Sequence, residues 1–128
     1  MTSFTTVNLK EIENSAGERS SEIEARFARS RLDSEHLGVS YFRYAPGYRS
    51  TLGHSHREQE EVYVVVSGSG RIKLDDEIVE LAEWDAVRVA AETIRAFEAG
   101  PEGIEILAVG SDRPEGGDGI RAADWWID

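Results

Sequence analysis

The stretch that most constrains the fold is residues 53–70, GHSHREQEEVYVVVSGSG. Its apolar run, residues 62–66, is rich in β-branched and aromatic side chains, which favour a pleated and packed strand. We expect this strand to begin at Glu61. We also expect it to end at a glycine turn over residues 67–70, because glycine adopts the positive φ of tight turns without strain.

Two of the three histidines, His54 and His56, lie two positions apart just before this strand. Side chains at i and i+2 of an extended segment project from the same face, so both imidazoles would point into one volume. Glu61 adds a carboxylate from the neighbouring strand. Two imidazoles and a carboxylate form a mixed N/O donor set for a divalent metal. The alternative is an exposed polar loop followed by a solvated acidic run over residues 58–61.

Beyond residue 70 the chain continues as short apolar segments with turn signals between them. These signals are Asp-Asp at residues 75–76 and Gly-Pro-Glu-Gly at residues 100–103, which we expect to form a loop. Many short strands at close intervals predict an all-β protein, an antiparallel sandwich or barrel. No internal repeat or linker interrupts the pattern, so we expect a single domain over residues 1–128.

The N-terminal part of the chain carries weaker signals. Residues 7–12 fit a short edge strand. Residues 22–32 fit a strand by the alternation of their apolar side chains, but they fit a helix by the four-residue spacing of two of them. We favour the strand, because residues 38–44 look like its hairpin partner. His36 lies near the turn between them, and we expect it to be exposed and to have no ligand role.

The C-terminal segment, residues 120–128, contains the adjacent tryptophans Trp125 and Trp126. Adjacent positions on a strand face opposite ways, so the two rings cannot enter the same core. Large exposed aromatic side chains mark contact surfaces. We therefore expect the tail to dock onto the chain's own body or onto a dimer mate.

Composition excludes several classes of protein. The chain has 128 residues, 40% of them hydrophobic, which is enough to bury a core. The absence of cysteine rules out disulfides, iron–sulfur clusters and thiolate zinc sites. No apolar stretch approaches the roughly 20 residues of a membrane span, and the N-terminus lacks a secretory signal pattern, so we expect a cytoplasmic protein. The net charge of −11 argues against binding to nucleic acid or to an anionic membrane surface.

The spacing of His54, His56, Glu61 and Gly68 resembles the first motif of the cupin superfamily, G-x5-H-x-H-x3,4-E-x6-G. The leading glycine is Gly47, one residue further from the first histidine than in the motif. The resemblance implies that the two histidines and the glutamate bind a divalent metal such as iron, manganese, zinc or nickel. A barrel without a bound metal is the alternative.

The resemblance covers about residues 38–110. It implies a double-stranded β-helix, or jelly-roll barrel, with a short N-terminal extension and a C-terminal tail. This architecture hosts many chemistries, so it does not by itself decide whether the protein is an enzyme.

The second cupin motif, G-x5-P-x-G-x2-H-x3-N, is substituted at every mark. Its marks fall on Trp84, Ala90, Glu92, Arg95 and Ala99, so an arginine replaces the histidine that usually completes the metal site. A guanidinium cannot bind a metal as a neutral ligand, because it does not deprotonate in proteins. It could instead clamp the carboxylate or phosphate of a ligand, or it could pair with Glu61.

Because side chains at every second position of a strand face the same way, further residues are expected around this site. Tyr63 shares the face of Glu61, and Phe97 shares the face of Arg95. We predict that Arg95, Tyr63 and Phe97 contact a ligand in a mostly apolar cavity. The opposite face of the strand carries three valines, and an outer face that apolar needs a cover, which predicts a homodimer.

Two functions from different classes are compatible with these residues. The first is metal-dependent chemistry on, or binding of, a small and anionic metabolite. The second is a non-catalytic barrel that binds or senses a small ligand without a metal. A structural dimer with a vestigial pocket is a third interpretation.

Overall fold

The computed structural model describes residues 3–17, 20–112, 114, 117–123 and 125–126. Within these residues, strands dominate and form one curled sheet of eight strands, so the predicted all-β barrel is confirmed. In chain order the strands are β1 (Ile23–Phe27), β2 (Gly38–Tyr44), β3 (Gly53–His56), β4 (Glu61–Leu74), β5 (Glu77–Leu81), β6 (Ala86–Val89), β7 (Arg95–Gly110) and β8 (Gly119–Ala122).

Two long strands hold the barrel together. β4 and β7 run antiparallel over most of their length, and β4 also pairs with β5 and β6. β7 continues to β2, which pairs with β1. β3, the histidine strand, pairs with β7 at one position, His54 opposite Arg95, and with the tail strand β8 along its whole length. In the described part of the chain, no helix has the length and apolar character needed to cross a membrane.

The predicted glycine turn at residues 67–70 and the predicted loop at residues 100–103 are both wrong. β4 and β7 each continue through these segments, with register irregularities on β4 between Val65 and Ser67 and between Gly68 and Gly70. Gly68 has φ +76°, and a Cβ there would lie 2.1 Å from the carbonyl oxygen of Gly103. Positive φ and close backbone approach are also what a β-bulge requires, so glycines do not distinguish a bulge from a turn.

The N-terminal predictions are corrected in part. Residues 7–12 contain a 3₁₀ turn, Leu9–Glu11, instead of an edge strand, and the Asn8 side chain accepts a hydrogen bond from the Lys10 N–H at 2.9 Å. Within residues 22–32 the favoured strand forms as β1 and pairs with β2 as expected, and it contains both residues whose four-residue spacing suggested a helix. A short helix, α1 (Arg29–Leu32), follows the strand.

The tail docks onto the chain's own body. The Trp126 indole N–H donates to the Ser50 carbonyl at 2.8 Å. The Lys73 ammonium lies 4.2 Å from the centre of the Trp125 ring and donates to the Trp125 carbonyl at 2.6 Å. A Cβ on Gly53 would lie 2.8 Å from the Trp125 ring, so this tryptophan packs directly on β3. Residues 124, 127 and 128 of the predicted tail segment lie outside the described residues.

The core lies between the inner faces of the long strands. Tyr63 and Val65 are 3% and 1% exposed, so the predicted inward face of β4 is confirmed. Ile72, Val89 and Ile106 complete the centre of the cluster. The alternation of side chains along a strand therefore determines which residues at the start of β4 face the site.

Candidate metal centre

His56 lies between two carboxylates. Its Nδ1 is 2.8 Å from Oδ1 of Asp118, and its Nε2 is 3.2 Å from Oε1 of Glu61. The hydrogen bond with Glu61 raises the pKa of His56, burial opposes the rise, and the hydrogen bond with Asp118 adds to it. A hydrogen bond from Nδ1–H to a carboxylate orients a metal-binding imidazole and leaves Nε2 as the ligand atom.

Asp118 is a buried carboxylate that organises the loop after β3. Its Oδ2 accepts hydrogen bonds from the backbone N–H groups of Glu58 and Gln59, each at 2.8 Å. Burial alone would raise the pKa of Asp118, but these hydrogen bonds and the one from His56 outweigh it and lower the pKa to about 2. Asp118 stands just before β8, and the pairing of β8 with β3 brings it to the histidine.

His54 completes a cluster of three potential ligands. Its Nε2 lies 3.8 Å from Oε1 of Glu61, and its ring centre lies 5.1 Å from that of His56. One ligand atom from each of the three residues lies within 4.8 Å of the others. His36, as expected, is exposed, and its Nδ1 is 3.2 Å from the Asp112 carboxylate.

Arg95 forms an ion pair with Glu61, one of the two alternatives raised by the sequence. Its side chain is fully buried, and its Nη2 donates to Oε1 of Glu61 at 3.0 Å. Its Nε donates to the Tyr63 hydroxyl at 3.1 Å, and its Nη1 donates to the carbonyls of Thr93 and Ala91 at 2.7 and 3.2 Å. The hydrogen bonds of the guanidinium therefore stabilise the wall of the site, and the guanidinium does not line the cavity.

The carboxylate of Glu61 is held in its charged form. Burial by itself would raise its pKa, but the nearby His54 imidazole, hydrogen bonds with His56 and Tyr63 and the charge of Arg95 bring it well below its usual range. The Tyr63 hydroxyl donates to Oε1 of Glu61 at 2.6 Å, and burial together with this anion raises the pKa of Tyr63. A carboxylate with a lowered pKa beside two imidazoles is suited to a divalent cation.

The donor set fits a metal ion. The hydrogen bonds of Glu61 within the described residues all reach Oε1, which leaves Oε2 as a possible ligand atom beside the two imidazole nitrogens. Three protein ligands of this kind leave coordination positions for water or substrate, as in catalytic metal sites. The charge of Arg95 is already compensated by the same carboxylate.

The three ligands form one wall of a cavity of about 280 Å³. Alternate residues of β2 and of the segment leading into β3 supply much of the lining. Tyr63 and Phe97, the two aromatic residues for which the sequence predicts ligand contact, line the cavity, and their rings meet edge to face with centres 5.0 Å apart. The remaining apolar lining comes mainly from Phe27, Phe42, Tyr44, Leu52 and Ala108.

Sequence reasoning missed three polar residues of this region. Asp118 belongs to a tail with no pattern that indicates pairing with the histidine strand. Gln59, 7% exposed, stands in an acidic run that looked solvated. Arg29 follows β1 in the segment with ambiguous periodicity, and it lines the cavity. All three depend on contacts between distant parts of the chain, which local spacing does not encode.

The fold and the site together define a small β-barrel with a candidate N/O metal centre in its cavity wall. A family model described as a cupin domain matches residues 40–110, more than half of the chain. The chain therefore belongs to the cupin family. No curated protein matches the sequence.

Solved structures support the same fold. A cupin protein from Bacteroides fragilis superposes with a TM-score of 0.73 at 22% identity, over 90% of this chain and 89% of that chain. The polyketide cyclase RemF from Streptomyces resistomycificus gives 0.73 at 18% identity, over 97% and 87%. A variant of oxalate decarboxylase from B. subtilis gives 0.75 at 25% identity, over 93% of this chain and 32% of that chain.

Proposed function

We propose that this cupin binds a divalent metal ion through His54, His56 and Glu61 and acts on a small organic metabolite in the adjoining cavity. The observation that carries the proposal is the convergence of the three ligand atoms, within 4.8 Å of one another, on the wall of a cavity. A cavity of about 280 Å³ is just below the range of roughly 300–1,000 Å³ for small-molecule sites, so the ligand is small.

Each neighbouring residue has a part in this site. Asp118 holds His56 with Nε2 towards Glu61. Arg95 and Tyr63 keep the glutamate ionised and oriented. A bound divalent ion would supply Lewis-acid polarisation of a ligand oxygen or activation of a water molecule. Tyr63 and Phe97 would contact the ligand from the cavity wall.

Two structural neighbours support chemistry on small organic molecules. One is a polyketide cyclase, and another is an oxalate decarboxylase whose substrate, by its name, is a small organic anion. Both are at most about a quarter identical to this chain, so their reactions serve here as examples of what the barrel accommodates. We carry over the class of ligand, a small organic metabolite, and no particular reaction.

A specific observation favours a second candidate function, a ligand-binding barrel without metal. Arg95 already neutralises Glu61 at 3.0 Å, and it occupies the position of the histidine that would complete the set of four ligands. The charge of Glu61 is therefore balanced in the absence of a metal ion. In that case the cavity would bind its ligand by shape and hydrogen bonds alone.

Elemental analysis decides between the two functions. The protein is purified without chelator, and its metal content is measured beside that of His54→Ala, Glu61→Ala and the control His36→Ala. We expect near-stoichiometric metal in the parent and in the control, and little in the other two variants. A parent protein without metal, even after incubation with iron, manganese, zinc or nickel, would overturn the metal-dependent function in favour of the second candidate.

We further propose a single-domain, cytoplasmic homodimer. Three valines on the outer face of β4, Val62, Val64 and Val66, are only half-buried in the isolated chain and would gain cover from a partner. The exposed side chains of Ile78 and Trp84 add apolar surface to the molecule. Light scattering of the purified protein tests the dimer, and a monomeric mass would refute it.

A further inference from the structure

The cavity contains a second cation, Arg29, at the start of α1. Its Nη2 donates to the Ser111 carbonyl at 2.7 Å. Within the described residues it has no carboxylate partner, unlike Arg95, which is taken up by Glu61. A guanidinium has five N–H donors, so most of those of Arg29 are available to a ligand.

The position of this guanidinium is built into the sheet. A Cβ on Gly38 would lie 2.5 Å from Nη2 and 2.8 Å from Cζ of Arg29, so the arginine head occupies the space that a side chain would fill. Gly110 lies opposite Gly38 in the β2–β7 register. A Cβ on Gly110 would lie 2.1 Å from Nε2 of Gln59, so the amide of Gln59 likewise occupies the space that a side chain would fill. Both glycines line the cavity.

Arg29 and Gln59 lie side by side. The Gln59 Nε2 donates to the Ser111 carbonyl at 3.3 Å, the same oxygen that accepts from Arg29. Two planar groups that carry N–H donors and line the cavity therefore share one anchor. A guanidinium and a carboxamide arranged in this way match the two oxygens of a carboxylate.

The two groups stand close to the candidate metal centre. Gly110 pairs with Gly38 on one side and with Glu61 on the other. Neighbouring strands lie about 4.8 Å apart, so Gly38 and Glu61 are roughly 10 Å apart across the sheet. A molecule of a few bonds can span from the guanidinium to the three ligands.

We propose that Arg29 and Gln59 bind the carboxylate of a small organic acid with an apolar body. The aromatic rings of Phe42, Tyr44 and Phe97 pack against that body, and its other end faces the histidines. A single unpaired guanidinium matches a monoanion, and the net charge of −11 disfavours a dianion such as phosphate. Only the placement of the far end rests on the proposed metal function.

Calorimetric titration tests the carboxylate site directly. Benzoate, phenylacetate and butyrate are the probes, with benzamide as the neutral counterpart of benzoate and inorganic phosphate as the competing anion. We expect at least one carboxylate to bind at millimolar concentration or below, and benzamide and phosphate to bind at least about tenfold more weakly. Failure of all three carboxylates, or equal affinity for benzoate and benzamide, would overturn the proposal. Tighter binding of phosphate would replace carboxylate by phosphate as the ligand class.

Two variants separate charge from position. Arg29→Gln removes the cation, whereas Gly38→Ala keeps it but displaces the guanidinium, which can move because it is the flexible end of a side chain. Both are expected to weaken carboxylate binding about tenfold or more. Arg31→Gln, in the same helix but outside the cavity lining, is the matched control and should bind like the parent. Unchanged carboxylate affinity in Arg29→Gln, with the parent binding, would refute the assignment.

Metal content keeps this proposal distinguishable from the proposed function. Arg29→Gln should retain the metal of the parent, because Arg29 contacts none of the three metal ligands. A parent without metal that still binds carboxylates through Arg29 would refute the metal function and support the carboxylate site. A metal-loaded parent whose carboxylate affinity does not depend on Arg29 would support the metal function and refute the carboxylate site.

Discussion

Asp118 and His56 are joined by a hydrogen bond of 2.8 Å between a buried carboxylate and Nδ1 of the imidazole. The two residues are far apart in the chain and meet because β8 pairs with β3. The bond directs Nε2 of the histidine towards Glu61. The tail of the chain therefore sets the geometry of the candidate metal centre.

Replacing Asp118 should weaken metal binding. Asp118→Asn keeps the shape of the side chain but removes the anion that orients the imidazole and supports its basicity. Outer carboxylate partners of metal-binding histidines are typically worth about 10- to 100-fold in affinity, and we expect a loss in that range. Competition with a fluorescent chelator measures it. Asp112→Asn, which alters the exposed partner of His36, is the control, and an equal loss in both variants would argue against a specific role.

Arg95 and Glu61 should behave as a buried pair. Arg95→Leu leaves an uncompensated carboxylate and is expected to reduce the free energy of unfolding by about 3–5 kcal/mol in the metal-free protein. The double variant Arg95→Leu/Glu61→Leu should recover much of this loss, because both charges are removed together. Urea unfolding of the two variants and the parent measures the difference. Equal destabilisation of single and double variants would show that lost packing, and not the unpaired charge, is the cause.

Trp125 should stabilise the histidine strand. Trp125→Ala removes a half-buried ring from Gly53 and Lys73, at an expected cost of about 1–3 kcal/mol, less than for a fully buried tryptophan. In Trp125→Ala, amide hydrogen exchange in β3 should be faster than in the parent. Phe4→Ala, at a ring that is 76% exposed, should change the free energy of unfolding by less than about 0.5 kcal/mol. Unchanged exchange in β3 after loss of Trp125 would mean that the tail does not support the strand.

The β1–β2 hairpin should carry a pH-dependent contribution to stability through Glu24. Hydrogen bonds from Arg43, 2.8 Å away, and from Arg26 lower the pKa of Glu24 in the folded protein. A lowered carboxyl pKa stabilises the fold above the unfolded value of about 4.3, and this contribution is lost as the pH falls through the folded pKa. Glu24→Gln should therefore be less stable than the parent at about pH 7, by less than about 1 kcal/mol because the pair is partly exposed. The difference should shrink at about pH 3. Urea unfolding at both pH values tests this, and a gap that grows in acid would contradict it.

Local pattern was sufficient for the central strands and for the clustering of His54, His56 and Glu61. Alternation fixes which side chains of β4 face inward, so the approach of Glu61 and Tyr63 to the histidines follows once the strand is placed. The same local signals gave wrong predictions where glycines form β-bulges within a strand. Residues 67–70 and 100–103 look like turns, yet each lies within a long strand, because β4 and β7 pair on both sides of the irregularity, Gly68 with Ile104 and Gly70 with Ala99.

The remaining parts of the site depend on pairing between distant segments. The resemblance to the second cupin motif implied that Arg95 lies near Glu61, but it did not imply the burial of Arg95 or its full set of hydrogen bonds. Asp118 reaches His56 only through a four-residue strand near the C-terminus. The seating of Arg29 over Gly38 depends on a missing Cβ, a steric fact that no periodicity expresses.

Anomalous diffraction from a crystal of the metal-loaded protein tests the central claim most directly. We predict one strong peak at about 2.0–2.2 Å from an imidazole nitrogen of His54, Nε2 of His56 and a carboxylate oxygen of Glu61. A metal-loaded crystal with no peak among these three residues, or with its strongest peak at His36 and Asp112, would contradict it.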